Sequence, residues 1–168
     1  MTMTPTELSW AAGLFEGEGN IRINKPTKQN LGTLMVSVTN CDPRIVEFFQ
    51  ERWPGYMKLQ KKGRDREHVS DAWCWVIAAQ KAADFLTALL NHFVTERTWT
   101  RAMLGLEFQG QKIRYDLVNR SEEYRVRQWD FYWAMRAWNY HPHRPQAEQH
   151  RKSRGPNAQD SGQSKPPG

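Results

Sequence analysis

Residues 11–19 read AAGLFEGEG, and they place Gly13 and Gly17 four apart inside an apolar run, one above the other on a single helix face. Glycine inside a helix costs about 1 kcal/mol relative to alanine, so such a pair calls for another backbone to approach closely. A crossing with another helix of the same chain meets that demand, with Glu16 and Glu18 then ordinary solvated acids. The two carboxylates argue for more. They stand at the end of the helix, against the negative pole of its dipole, where acids are mildly destabilising. Two acids interleaved with Gly17 and Gly19 call for a compensating cation, and a divalent ion held by carboxylate oxygen would serve.

The elements around this segment follow from hydrophobic periodicity. Ser9 to Gly19 reads as a short helix stopped by glycine. Asn20–Lys25 alternates Ile21 and Ile23 with Arg22 and Asn24, the mark of a half-buried strand, and Thr33–Thr39 alternates again, so the two form a hairpin. Asp42-Pro43 opens a second helix, with Asp as cap and Pro in the first turn, and Pro54-Gly55 ends it. Tyr56–Lys62 and Asp71–Ala78 are expected to be strands, joined by a charged loop. Ala79–Phe93, Glu96–Phe108 and Glu122–Asn139 are expected to be helices, the last with Val126, Trp129, Trp133 and Trp138 on its core side. The expected class is therefore α+β, in the order α-β-β-α-β-β-α with an antiparallel sheet and a C-terminal helical extension. All four strands are read as turning a polar face outward, through Arg22, Asn24, Thr33, Ser37, Lys58, Gln60, Lys62 and Asp71.

Charge narrows the partner. The 168 residues carry a formal +6. Residues 141–168 hold five Lys/Arg and two Asp/Glu with five prolines, and are expected to be a disordered basic tail that buries too little to offset its ordering. Residues 1–140 form one domain, its core about 8–110 and its helical extension 111–140. Within it, residues 19–70 concentrate ten Lys/Arg against five Asp/Glu, on the expected strands and loops, which favours a polyanionic partner. No apolar run approaches the roughly 18–20 residues of a membrane helix, and no signal segment is evident. Cys41 and Cys74 are too few for a disulfide framework or a zinc cage. The expected setting is intracellular, without membrane or small-molecule cofactor; organelle, bacterial and phage origins are not distinguished.

The stretch AAGLFEGEG resembles the signature of the LAGLIDADG homing endonucleases, matching both internal glycines, the terminal glycine, both acidic positions and the apolar flanks, with a strand following at once. The resemblance implies a sequence-specific double-strand DNA endonuclease with an antiparallel saddle sheet. One motif copy implies a homodimer, whose interface would comprise Ala12, Gly13, Glu16 and Gly17. Glu18, where the family more often has Asp, would be the catalytic metal ligand, aided by the Gly17 carbonyl. The metal would be Mg²⁺, with Mn²⁺ or Ca²⁺ able to substitute for binding. Asn40, Arg44 and Arg97 correspond to the family's polar and basic residues around the scissile phosphate.

The same resemblance lays the sheets over the DNA major groove of a partly palindromic intron-associated target. Arg22, Asn24, Lys58, Gln60 and Asp71 are then candidates for base readout, with Thr33 and Ser37 as further DNA-binding residues on the same face. Lys62, Arg64 and Arg66 are candidates for phosphate contact. Trp73 shares the parity of Asp71 and either reaches a thymine methyl or packs beneath the loop. The alternative on the same scaffold is an intron RNA maturase or DNA-binding regulator that does not cut. The acid at residue 18 argues for cleavage.

Overall fold

The computed structural model describes residues 3–27, 31–61, 70–115 and 121–139. Its first helix, α1 (Pro5–Glu18), begins four residues earlier than the periodicity suggests because a polar cap starts it. Thr4 Oγ1 accepts from the Glu7 backbone N–H at 3.2 Å, the Thr4 N–H donates to Glu7 Oε2 at 2.8 Å, and Pro5 takes the first helical position. The Thr4 backbone bond, and then the Arg52 guanidinium 3.1 Å away, hold the Glu7 carboxyl below its ordinary range.

The chain continues as β1 (Gly19–Ile23), β2 (Leu34–Asn40), α2 (Pro43–Arg52), β3 (Tyr56–Gln60), β4 (Ala72–Ala78), α3 (Ala79–Leu89), a 3₁₀ turn (Leu90–His92), α4 (Glu96–Tyr115) and α5 (Glu122–Asn139). The expected order of elements is met, with one antiparallel sheet ordered β1-β2-β4-β3. Each hairpin pairs its own strands, and the hairpins join through β2 and β4, from Met35 opposite Ala78 to Asn40 opposite Trp73.

Register assigns each residue to a sheet face. Ile21 and Ile23, Leu34, Val36 and Val38, Trp75 and Ile77 point to the helices and are almost fully buried. They meet Ala11, Ala12 and Phe15 of α1, Val46 and Phe49 of α2, Phe85, Leu86 and Leu89 of α3, and Ala102 and Phe108 of α4. Phe49, Trp53, Trp75 and Phe85 form an aromatic cluster with ring centroids 4.8–6.1 Å apart, and Trp75 Nε1 donates to the Trp53 carbonyl at 3.0 Å. Gly55 lets the turn after α2 lie directly on β4: a Cβ there would sit 2.6 Å from the Val76 carbonyl oxygen and 2.9 Å from Trp75 Nε1.

Helix α5 turns a different face inward from the one its tryptophans suggest. Tyr124, Gln128 and Met135 are buried, with Phe131 beside them, whereas Val126 and Trp133 are each 52% exposed and Trp138 is 40% exposed. The helix packs on both α4 and β1, and the stripe that satisfies both neighbours runs 124-128-131-135. The large tryptophans lie at its rim.

Edge strand β1 is covered in the same way. The Ile21 carbonyl accepts from Arg101 Nη2 of α4 at 2.8 Å and from Asn139 Nδ2 of α5 at 3.2 Å, and Arg101 Nη2 also donates to Asn20 Oδ1 at 2.7 Å. At the start of α4, Glu16 Oε1 of α1 accepts from the backbone N–H of Val94 (3.1 Å), the N–H of Thr95 (2.7 Å) and Thr95 Oγ1 (2.7 Å). A carboxylate there meets free N–H groups and the positive pole of α4 together.

Two stability predictions follow from these contacts. Gly55→Ala is expected to destabilise the fold by about 1–3 kcal/mol, the usual cost of overpacking. Gly110→Ala, in open space on α4, is the control and is expected to be neutral or stabilising; equal urea midpoints for the two variants would contradict the close approach. Glu16→Ala should cost about 1–2 kcal/mol in urea unfolding, as loss of a helix-capping acceptor does. An unchanged midpoint would show that this cap carries no weight.

Candidate nucleic-acid interface and acidic helix end

The sheet face opposite the helices carries Asn20 and Arg22 from β1, Met35, Ser37 and Thr39 from β2, Tyr56, Lys58 and Gln60 from β3, and Ala72, Cys74, Val76 and Ala78 from β4. Its flanking strands bear the long side chains and its middle is small. None of these strand residues is acidic, while Arg22 and Lys58 are cationic. Asn24, one residue past β1, adjoins this face and donates Nδ2 to Met35 Sδ at 2.8 Å, with Arg22 Nη2 3.6 Å from the same sulfur.

The register brings Arg22, Asn24, Ser37, Lys58 and Gln60 together and separates other candidates from them. Thr33 and Asp71 each lie one residue before a strand, and the Thr33 carbonyl accepts from the Asn24 N–H at 2.9 Å. Trp73 stands opposite Asn40 and Leu59 on the helix-covered face, half-buried against the core. It therefore does not share the outward face, a correction to the expected readout role. The expectation of a polar outward face on every strand also fails at β4, where the alternation Trp73, Trp75, Ile77 goes to the core and only small or apolar residues face out. Lys62, Arg64 and Arg66, and the segment 140–168, lie outside the described residues.

On α1, Cβ atoms built at Gly13 and Gly17 meet nothing within 4 Å, so no helix of the described residues crosses there. Among the described residues the glycine face is bare. Ala12 is a correction to the expected interface set: it is fully buried beside Ala11 and Phe15 on the opposite face. Glu16, expected at the same interface, is engaged within the chain at the start of α4. Glu18 is exposed at the foot of the glycine face, α1 has no basic residue in its last turn, and no ion pair of the described residues involves Glu18.

A hard divalent cation fits the donors at this helix end, which are the Glu18 carboxylate and terminal carbonyls such as that of Gly17. The set is incomplete within one chain, because no group of three His, Cys, Asp or Glu side chains converges among the described residues.

Near the strand ends, Asn40 Oδ1 accepts from the Asp42 N–H at 2.8 Å and forms the turn into α2. Asp42 caps that helix by accepting from the Arg44 N–H at 3.0 Å, and its carboxylate pairs with Arg44 Nη2 at 2.6 Å. The Arg44 guanidinium lowers the Asp42 pKa, and the carboxylate raises that of Arg44 in turn. Arg97 Nε donates to the Trp138 carbonyl at 3.3 Å. Arg101, one turn on, is the residue that pattern reading missed. It is a buried cation without a carboxylate partner among the described residues, its Nε unbonded, its pKa lowered to about 10 by burial and then by Arg97. A helical wheel would have flagged it, since it lies between Thr98 and Ala102 on the buried stripe of α4.

The sequence matches no protein-family model and no curated protein. Solved structures do match. An archaeal intron-encoded homing endonuclease, I-Vdi141I, complexed with DNA, superposes with a TM-score of 0.63 at 12% identity, over 88% of this chain and 93% of that one. The group I intron-encoded homing endonuclease I-CeuI, also complexed with DNA, gives 0.61 at 11% identity, over 80% and 68%. The LAGLIDADG meganuclease I-AabMI, bound to uncleaved DNA, gives 0.52 at 18% identity over 74% of this chain, which spans only 43% of that one. The architecture of this chain is the LAGLIDADG homing endonuclease fold.

Proposed function

We propose that the chain is a homing endonuclease, which cuts both strands of a long, partly palindromic DNA site as a homodimer. The observation that carries this reading is the Gly13/Gly17 face of α1, bare among the described residues and ending in Glu18, which no described residue pairs. Two such faces packed about a twofold axis satisfy the glycine geometry that the single chain leaves open, and bring two carboxylates to one place. The matches support a one-motif chain: this chain spans most of I-Vdi141I but under half of I-AabMI.

In this reading the outward sheet face lies in the major groove. Its small middle, built from Ser37, Cys74 and Val76, leaves room for base edges, and its flanks present Arg22, Asn24, Lys58 and Gln60 as donors and acceptors. Thr33 and Asp71 stand at the strand entries, where they meet the ends of each half-site. Lys62, Arg64 and Arg66 are proposed to bind phosphate and so to set affinity and salt dependence. Trp73 holds the sheet from behind.

Glu18, its mate and the Gly17 carbonyl would hold Mg²⁺, with Mn²⁺ or Ca²⁺ as substitutes for binding, and the ion supplies charge neutralisation and an acidified water. Asn40 spends Oδ1 on its turn and keeps Nδ2 as the donor that orders water at the scissile phosphate. Arg44 and Arg97 retain guanidinium N–H groups beyond those given to Asp42 and to the Trp138 carbonyl. Those groups are proposed to meet negative charge developing on the phosphate.

Two experiments test this reading. Incubating the protein with a randomised duplex library and Mg²⁺, then sequencing the cut ends, should reveal one recurring site. Glu18→Gln should lower its cleavage more than about a hundredfold, the order expected for losing one charge-stabilising group, while duplex binding persists. Undiminished cutting by Glu18→Gln would refute the assignment. By sedimentation equilibrium, Gly17→Leu should weaken self-association by at least about 2 kcal/mol, roughly 30-fold, without lowering the thermal midpoint of the separated chain. A wild-type protein that stays monomeric on its target DNA contradicts the dimer.

A further inference from the structure

Beside the outward sheet face lies an open cleft of about 260 Å³ between β1 and α5, lined by Arg22, Ile23, Tyr132, Met135, Arg136 and Asn139. We infer that this cleft is a binding subsite for a DNA backbone phosphate, which carries the nucleic-acid footprint off the sheet and onto the last helix. The inference rests on the DNA-binding reading given above and goes past it, since α5 belongs to none of the groups assigned there.

The chemistry of the lining selects an anion. Two guanidiniums and an amide face an apolar floor of Ile23 and Met135, and none of the described residues that line the cleft is a carboxylate. The volume lies below the roughly 300–1,000 Å³ of small-molecule pockets. An open cleft of this kind suits one phosphate of a polymer better than an enclosed metabolite.

Arg22 belongs both to the cleft and to the outward face of β1, so the two surfaces are continuous. Arg136 is braced rather than floppy: Nη1 donates to the Tyr132 hydroxyl at 2.8 Å and the guanidinium lies 5.6 Å from the centroid of the Trp133 ring. Asn139 is fixed by its bond to the Ile21 carbonyl. Lys25, whose Nζ lies 5.9 Å from the centroid of the Trp129 ring, adds a further cation against α5. Forked donors held on stacked rings are what recognition of a planar or tetrahedral oxyanion requires.

Arg136 also stands in the last turn of α5, where any cation complements the helix dipole. The test must separate that role from phosphate binding. The affinity of the full chain for a duplex of about 40 base pairs and arbitrary sequence is measured between about 50 and 200 mM salt, with thermal midpoints alongside. Arg136→Gln should weaken binding several-fold and reduce the magnitude of the slope of log K against log salt by about 0.9 for each chain bound, the value of one phosphate contact. Arg136→Lys, which keeps the charge, should restore the slope.

Steep, salt-dependent duplex binding by the wild type that Arg136→Gln leaves untouched overturns the subsite and leaves the DNA-binding reading standing. Equal losses in Arg136→Gln and Arg136→Lys with lowered thermal midpoints overturn it in favour of a packing role. Tighter binding to one strand of the same sequence, lost with Trp133→Ala and not with Arg136→Gln, overturns it in favour of base stacking. Absence of any duplex binding by the wild type removes the functional reading itself, and the subsite with it.

Discussion

The contact on which the arrangement turns is the Glu16 carboxylate seated in the N–H groups that open α4. It joins the negative end of one helix to the positive end of another, so each dipole is answered by the other element. With Glu16 committed there and Ala11, Ala12 and Phe15 committed to the core, α1 has no freedom to roll. Its glycine face is held away from the molecule and Glu18 is left at the end of it. A single acid-to-amide contact therefore decides which of two neighbouring carboxylates supports the fold and which stays exposed.

Strand register does the corresponding work for the sheet. Because side-chain direction alternates, burying Trp75 and Ile77 under the helices forces Cys74 and Val76 to the other side, and burying Ile21 and Ile23 forces Arg22 out. The outward face is thus dictated by the core: long polar residues at the flanks, small residues along the midline, and no strand carboxylate. A slip of one residue in β4 would bring two indole rings into that midline.

Much of this was legible in the chain. The alternation of Ile21, Ile23, Leu34, Val36 and Val38 gave both faces of the first hairpin, and Asp42-Pro43 marked the start of α2. The AAGLFEGEG segment pointed to a helix end with unusual chemistry. Where reading failed, the reason is physical. The start of α1 depends on a reciprocal bond between Thr4 and Glu7, a polar signal that an apolar pattern does not register. The inward face of α5 was misread because tryptophan is large and apolar yet sits comfortably at a rim, while Gln128 is buried by the geometry of two neighbours at once. Trp73 was placed by its distance from Asp71 rather than by its partners Asn40 and Leu59, and only pairing settles parity. Arg101 escaped notice because a buried cation is recognised by the strand carbonyl it satisfies, which lies 80 residues away in the chain.

That carbonyl has a consequence for how copies of the molecule can meet. An outer strand with open amide groups invites another chain to add itself to the sheet, and long arrays follow readily from such pairing. Here one rim is interrupted at Ile21 by Arg101 and Asn139, and the opposite rim is a five-residue strand bearing Lys58. Lateral growth into ribbons is discouraged on both sides, and the sheet stays at the four strands of one chain.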